Sequence, residues 1–252
     1  MKHRLTAQFR FYEELNDFLP VRLQRKPLLY HFSGTPGIKD AIEAIGIPHT
    51  EIDLILVNGI SVDFSRRLSN GDRVSVYPVF ESFDISPVTR LRPRPLRNPK
   101  FLLDEQLGKL APTMRLLGLD SVYCKNRPAR EKIEIAEKEK RIILTRTTAL
   151  LKNKRVTRGY WVRSSAAMEQ AAEVLKRFDL YSLIKPFSRC LLCNGCVEPV
   201  EKRDIEDKLP PRTREAYNQF FQCRRCLQLY WKGSHYRRLK AKIEQLLKQD
   251  RP

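Results

Sequence analysis

Two pairs of cysteines constrain this chain more than any other feature. Cys190-x-x-Cys193 and Cys223-x-x-Cys226 are separated by 29 residues. The segment between them lacks the apolar runs of a core, so something other than burial must hold it. Paired knuckles of this kind offer four thiolates, each at about 2.3 Å, to a tetrahedral Zn²⁺. A closed four-sulfur shell leaves no position open for substrate, so zinc bound there is structural. Disulfides are the alternative use of the same residues. The N-terminal stretch MKHRLTAQFRFYEEL has no apolar run followed by a small-residue cleavage site. No apolar run reaches the ~18–20 residues that span a bilayer. A cytoplasmic location, with reduced thiols and no membrane contact, is therefore expected, and it favours metal over disulfides. Cys196 complicates the ligand choice because it also lies at C-x-x-C spacing from Cys193. His235 could ligate, though four cysteines already fill the shell. Cys124 reads as a lone buried thiol.

Charge divides the chain. The formal net charge is +19, from 48 Lys+Arg and 29 Asp+Glu in 252 residues. Residues 1–85 hold 10 basic and 11 acidic residues, residues 100–188 hold 19 and 10, and residues 189–252 hold 15 and 8. Between the first two lies SPVTRLRPRPLRNP, residues 86–99, with four Arg and no acid. Pro87, Pro93, Pro95 and Pro99 favour a stiff extended linker. Arg90, Arg92, Arg94 and Arg97 make it either a phosphate-contacting strip or a solvated connector. An excess this large points to a polyanionic partner, foremost nucleic acid. The apolar fraction of 42 % excludes a disordered polycation.

In the first unit, Leu5, Ala7, Phe9 and Phe11 alternate with polar residues at the period of a half-buried strand. A second strand is expected at Leu28–Phe32. Thr35-Pro36 predicts a helix start, as N-cap and first helical residue, and Gly46 predicts its end. Asn58-Gly59 predicts a tight hairpin between Asp53–Val57 and Ile60–Val62, and Asn70-Gly71 introduces a last strand, Arg73–Tyr77. The pattern Val57-Asn58-Gly59, Val62, Leu68, Gly71-Asp72, Val74 and Pro78 resembles ubiquitin-like sulfur carriers of β-grasp fold. Those carriers end in a free Gly-Gly, whereas this chain continues Phe80-Glu81-Ser82-Phe83. The resemblance thus implies a docking module with a protein partner, without carrier chemistry.

In the middle unit, Lys100–Leu103 is a short apolar strand ending at Asp104-Glu105, and carboxylates at that edge of an open α/β sheet can form a site. Strands at Ser121–Tyr123, Arg141–Thr145 and Gly159–Val162 alternate with helices at 106–117, 131–140 and 165–178, which argues for a parallel α/β sheet. Lys152, Lys154, Arg155, Arg158 and Arg163 interleave with Tyr160 and Trp161, pairing phosphate neutralisation with base stacking. Trp161 could equally be a core residue.

Three separated segments, FLLDEQLGKLAPTMRLLGLD, RIILTRTTALLKNKRVTRGYWVR and the cysteine region with C-x-x-C-N-G and Gly233-Ser-His-Tyr-Arg-Arg238, resemble the Mut-seven C-terminal ribonuclease domain family. The resemblance implies a multidomain α/β and α+β chain. Its parts are an N-terminal ubiquitin-like β-grasp (1–85), the linker (86–99), a central PIN-like ribonuclease domain with a parallel sheet (100–188), and a zinc ribbon with a basic C-terminal helix (189–252). It also implies Cys190, Cys193, Cys223 and Cys226 as the zinc ligands. PIN-like nucleases gather carboxylates around Mg²⁺ or Mn²⁺. Asp104, Asp120 and Glu131 match that acid set, while Thr147 stands where the family carries an Asp, and Ala129 and Arg130 replace further acids. The chain is thus expected to be either a metal-dependent ribonuclease with a reduced site or a non-catalytic protein that binds RNA, such as tRNA or ribosomal RNA. Further RNA contacts are expected from Arg224, Arg225, Trp231, His235, Tyr236, Arg237 and Arg238. Leu239–Lys248 reads as a short amphipathic helix.

Overall fold

Asn58 and Gly59 adopt φ of +52° and +86°, the geometry that lets two strands turn back within two residues. They join two strands of an N-terminal β-grasp. The computed structural model describes residues 4–78, 88–91 and 98–249. Pro87, Pro93, Pro95, Arg92, Arg94, Arg97 and Phe80–Phe83 lie outside the described residues, and with them most of the linker. The first elements are β1 (Leu5–Phe11), β2 (Leu28–Phe32), α1 (Ile38–Ile45), β3 (Ile52–Val57), β4 (Ile60–Val62) and β5 (Arg73–Pro78). The sheet order is β2-β1-β5-β3-β4. Strands β1 and β5 run parallel at its centre, with Phe9 opposite Val74, and the other pairs are antiparallel. One face packs Phe9, Phe11, Val74 and Val76 against Ile38, Ala41 and Ile42 of α1.

Helix α1 begins two residues later than Thr35-Pro36 suggested, with Gly37 as N-cap. The Pro36 carbonyl accepts from Leu68 N, and the Ile38 N–H donates to the Arg66 carbonyl. That bridge holds Pro36 and Gly37 extended, and Gly46 then ends the helix at φ +127°.

The second unit starts with β6 (Lys100–Leu103), α2 (Leu110–Leu116), β7 (Ser121–Tyr123), α3 (Ala129–Glu139) and β8 (Arg141–Thr145). Strands β7, β6 and β8 are parallel, with β6 in the middle. Pro112 sits in the first turn of α2, where its missing N–H has no helical acceptor to lose. There follow α4 (Thr148–Leu151), β9 (Gly159–Trp161), α5 (Ala167–Arg177), β10 (Val197–Val200), α6 (Pro211–Ala216), β11 (Phe220–Cys223), β12 (Leu229–Trp231) and α7 (Ser234–Gln249). Strands β10, β11 and β12 form a C-terminal antiparallel sheet. Two compact units result. One comprises Met1–Arg97 with Thr147–Trp161, and the other Asn98–Arg146 with Val162–Pro252. The segment carrying Lys152–Trp161 thus groups with the β-grasp.

Helix α7 starts five residues before the expected Leu239. The Gly233 carbonyl accepts the Arg237 N–H, which opens the helix there and places His235, Tyr236, Arg237 and Arg238 on its first turns. Ile243 and Leu246 form its buried stripe. Among the described residues, no helix is long and apolar enough to cross a membrane.

Candidate functional site

The two cysteine knuckles are built alike. The residue after each second cysteine is left-handed, Asn194 at φ +66° and Leu227 at +60°. Its N–H donates to the carbonyl of the first cysteine, at 3.0 Å in both knuckles. This turn aims backbone N–H groups at sulfur: Cys193 N at Cys190 Sγ (3.5 Å), Gly195 N at Cys193 Sγ (3.4 Å) and Arg225 N at Cys223 Sγ (3.4 Å). The four sulfurs lie within 4.8 Å of one another. The Cys190–Cys226 and Cys193–Cys223 separations are 3.5 and 3.4 Å. Those spacings exceed an S–S bond of about 2.05 Å. They approach the ~3.8 Å edge of a tetrahedron with ~2.3 Å metal–sulfur bonds. The four thiols are placed to hold a metal ion.

Electrostatics set the thiols of the cluster apart. Burial pushes the Cys190 thiol up, but the Tyr230 hydroxyl and nearby N–H groups outweigh it and bring Cys190 down to about 6. Burial and the sulfurs of Cys226, Cys223 and Cys190 push Cys193 up to about 12. One thiolate is tolerated, and several together require a positive ion between them. Cys196 is exposed, Cys124 is buried as a free thiol, and neither joins the cluster.

The three acids expected to share a metal are not brought together. Phe101 of β6 is opposite Ser121 and Leu103 is opposite Tyr123. Asp120 therefore precedes β7 at one edge of the parallel sheet, and Asp104 follows β6 at the other. Four residue steps at ~3.3 Å separate their levels by about 13 Å. Asp120 serves as an anchor between sheet and knuckle. Its carboxylate accepts from Arg141 Nη1 at 2.6 Å and Asn194 Nδ2 at 2.8 Å, with Arg189 Nη2 at 3.2 Å. Burial pushes its pKa up, but these partners prevail and hold it below the ordinary range. Asn194 also accepts the Ser121 N–H, and Arg115 donates to the Leu191 and Leu192 carbonyls. Replacing Asp120 by Ala should cost about 2 kcal/mol. That is less than the ~3–5 of a fully stranded buried charge, because Glu139 still faces Arg141 at 2.7 Å. An unchanged thermal midpoint would refute the anchoring role.

Asp104 is 6 % exposed and accepts three hydrogen bonds. Oδ1 accepts from Lys132 Nζ at 2.5 Å and from Glu105 N at 2.8 Å, and Oδ2 accepts from Thr145 Oγ1 at 2.8 Å. Burial alone would raise its pKa, but these donors hold it below the usual carboxylate range. Lys132 is itself 6 % exposed. It sits on the α3 face that buries Ile133 and Ala136. Spacing carries that signal, since Lys132 is four residues before Ala136. Glu131 is on the solvent side of α3, 3.4 Å from Arg127, and Arg130 is exposed and paired with Glu134 at 2.8 Å. Thr147 is the N-cap residue of α4. Asp104, Asp120 and Glu131 therefore do not fit a shared Mg²⁺ or Mn²⁺, and a lysine amine already supplies the cation at Asp104.

The expected RNA-contacting residues divide by exposure. Lys154, Arg155, Arg224, Arg225, His235, Arg237 and Arg238 face solvent, while Lys152, Arg158 and Arg163 are half-buried. Arg224 pairs with Glu198. Tyr160 is buried, and Trp161, Trp231 and Tyr236 are half-buried against other side chains. Tyr160 is 4 % exposed, so its face cannot stack a base. Trp161 packs on Phe18 at 4.8 Å, Tyr236 on Phe187 at 4.3 Å, and Trp231 on the cluster of Ile205, Leu209 and Phe220.

Comparison with known proteins now places this arrangement. A family model described as Mut7-C RNAse domain matches residues 99–243, and one described as Mut7-C ubiquitin matches residues 4–84. No curated protein and no solved structure matches the chain. The first match spans more than half of the 252 residues, and the chain belongs to the Mut7-C RNAse domain family, with a Mut7-C ubiquitin domain ahead of that domain.

Proposed function

We propose that this chain is a cytoplasmic RNA-binding protein whose ribonuclease-type domain is held by an internal ion pair in place of a divalent metal. The observation that carries the reading is Lys132 Nζ at 2.5 Å from Asp104 Oδ1, both residues buried. A Mg²⁺ site needs oxygen ligands with lone pairs to give, and three of the roughly four acceptor positions of Asp104 are taken by Lys132, Thr145 and Glu105 N. The family match supports an RNA-related role, and the positive excess lies outside residues 1–85. Because Tyr160 is buried and Trp161, Trp231 and Tyr236 each pack on other side chains, affinity comes chiefly from cations on phosphates. Such contacts tolerate structured RNA of many sequences. Cys190, Cys193, Cys223 and Cys226 hold a structural Zn²⁺ in this reading, whose contribution is to fix the ribbon that carries Arg224 and Arg225.

The test is a salt titration of RNA binding with and without Mg²⁺ or Mn²⁺. Changing Lys154, Arg155, Arg237 and Arg238 to Gln should lower the slope of log Kobs against log[salt] by about 3–4 units, near 0.9 per phosphate contact. Neither metal should induce cleavage. Metal-dependent cleavage that disappears in Asp104→Asn would overturn the reading in favour of a working nuclease.

A further inference from the structure

His49, Thr50 and Glu51 form a turn between α1 and β3, yet all three polar residues are buried, at 6 %, 1 % and 0 % exposure. Connecting turns ordinarily face water, because their polar groups need partners there. Here two of the side chains reach residues more than a hundred positions further on. Glu51 Oε1 accepts the backbone N–H of Trp161 at 2.6 Å. His49 Nε2 donates to the Val156 carbonyl at 2.7 Å, while its Nδ1 meets Glu43 Oε1 at 2.5 Å. Phe18 adds the ring contact to Trp161. These attachments bracket Val156–Trp161. Just ahead of them Lys154 and Arg155 are exposed, on a turn in which Val156 N donates to the Asn153 carbonyl at 2.9 Å.

We propose that the ubiquitin-like domain is an intramolecular clamp for the basic segment Lys152–Arg158, with His49, Glu51 and Phe18 as positioning residues that raise RNA affinity without touching RNA. This rests on the RNA-binding reading of that segment. A loose basic loop loses roughly 1–2 kcal/mol of backbone entropy per residue when RNA orders it. A loop already ordered in the free protein avoids that loss. The clamp gives the N-terminal domain a task inside the chain, in place of the external protein partner that its resemblance suggested.

The experiment uses the full chain and three variants: Glu51→Ala, the milder Phe18→Leu, and the double change Lys154→Gln, Arg155→Gln. Two readouts are needed, the rate of tryptic cleavage after Arg158 and the salt dependence of binding to a structured RNA. Glu51→Ala and Phe18→Leu should speed cleavage after Arg158 and weaken RNA binding, by about tenfold for each residue's ordering lost. Their salt slope should stay at the wild-type value, because the same cations meet phosphates once RNA has ordered the segment, whereas the slope of the double variant should fall. The double variant should weaken binding and leave cleavage after Arg158 unchanged. Wild-type cleavage rates in both clamp variants would overturn the clamp. Faster cleavage with unchanged affinity, while the double variant binds weakly, would overturn its role in affinity. Unchanged affinity in the double variant would overturn the RNA reading of the segment itself, and the cleavage rates would still report on the clamp.

Discussion

If the four-thiol cluster holds zinc as proposed, removing the ion should unfold the C-terminal antiparallel sheet. Its own apolar cluster is small, with Ile205, Leu209 and Phe220 buried and Val200, Tyr217, Leu229 and Trp231 packed around them. Each fully buried side chain contributes about 1.5–3 kcal/mol. Three such side chains are few for a segment running from Cys190 to Trp231, so burial alone falls short. A structural zinc supplies about 10–16 kcal/mol at neutral pH, and this binding energy is folding energy. Chelation, or Cys223→Ser, should therefore abolish amide protection across β10, β11 and β12. The damage should spread to the parallel sheet, because Asn194 and the Leu191 and Leu192 carbonyls join that sheet through Asp120, Ser121 and Arg115. Gly195→Ala should act like a partial loss of ligand. A Cβ there would meet Cys223 Sγ and Arg225 Cβ at 2.9 Å, so zinc content should drop with all four cysteines intact. Hydrogen exchange with zinc analysis checks both results. A metal-free chain that keeps its protection in residues 190–231 would show that the ribbon stands without the ion.

Local patterns in the sequence foretold most of the fold, and long-range pairings did not. Alternation in Leu5–Phe11, the Asn58-Gly59 turn and the Cys-x-x-Cys spacing each act within a few residues, and each appears where it was expected. The start of α1 shifted because Leu68, thirty residues away, claims the Pro36 carbonyl. The resemblance expects Asp120 in an acid set, yet its carboxylate is held by Arg141, Arg189 and Asn194, up to 74 residues distant. Likewise nothing within Lys152–Trp161 reveals that its hydrogen-bond partners are His49 and Glu51. Lys132 is the instructive omission. Its place on the apolar stripe of α3 was legible, but a lysine is rarely buried unless paired, and its partner Asp104 lies 28 residues back.

That pairing makes the second large prediction. Lys132→Met leaves the Asp104 carboxylate buried with only Thr145 and Glu105 N as donors, and Asp104→Leu leaves the ammonium buried without its counterion. Removing one partner of a buried ion pair costs about 3–5 kcal/mol, while replacing both with apolar groups of similar volume is often neutral or stabilising. The double variant Asp104→Leu, Lys132→Met should therefore lie closer to wild type than either single variant, and the cycle should give a coupling of about 2–3 kcal/mol or more. The pH dependence follows from the direction of the Asp104 shift. Its folded pKa lies below the ordinary carboxylate value, so the pair's contribution is complete above about pH 5. It fades as pH falls through about 3.9 toward the lower folded value. In the double variant that acid-sensitive component should be missing. RNA affinity should stay at the wild-type value in Asp104→Asn under conditions where the protein remains folded, because the carboxylate faces Lys132 and not solvent. Additive single-variant costs, or a wild-type acid limb in the double variant, would show that Asp104 and Lys132 do not act as one buried unit, and would return Asp104 to the list of residues available for metal chemistry.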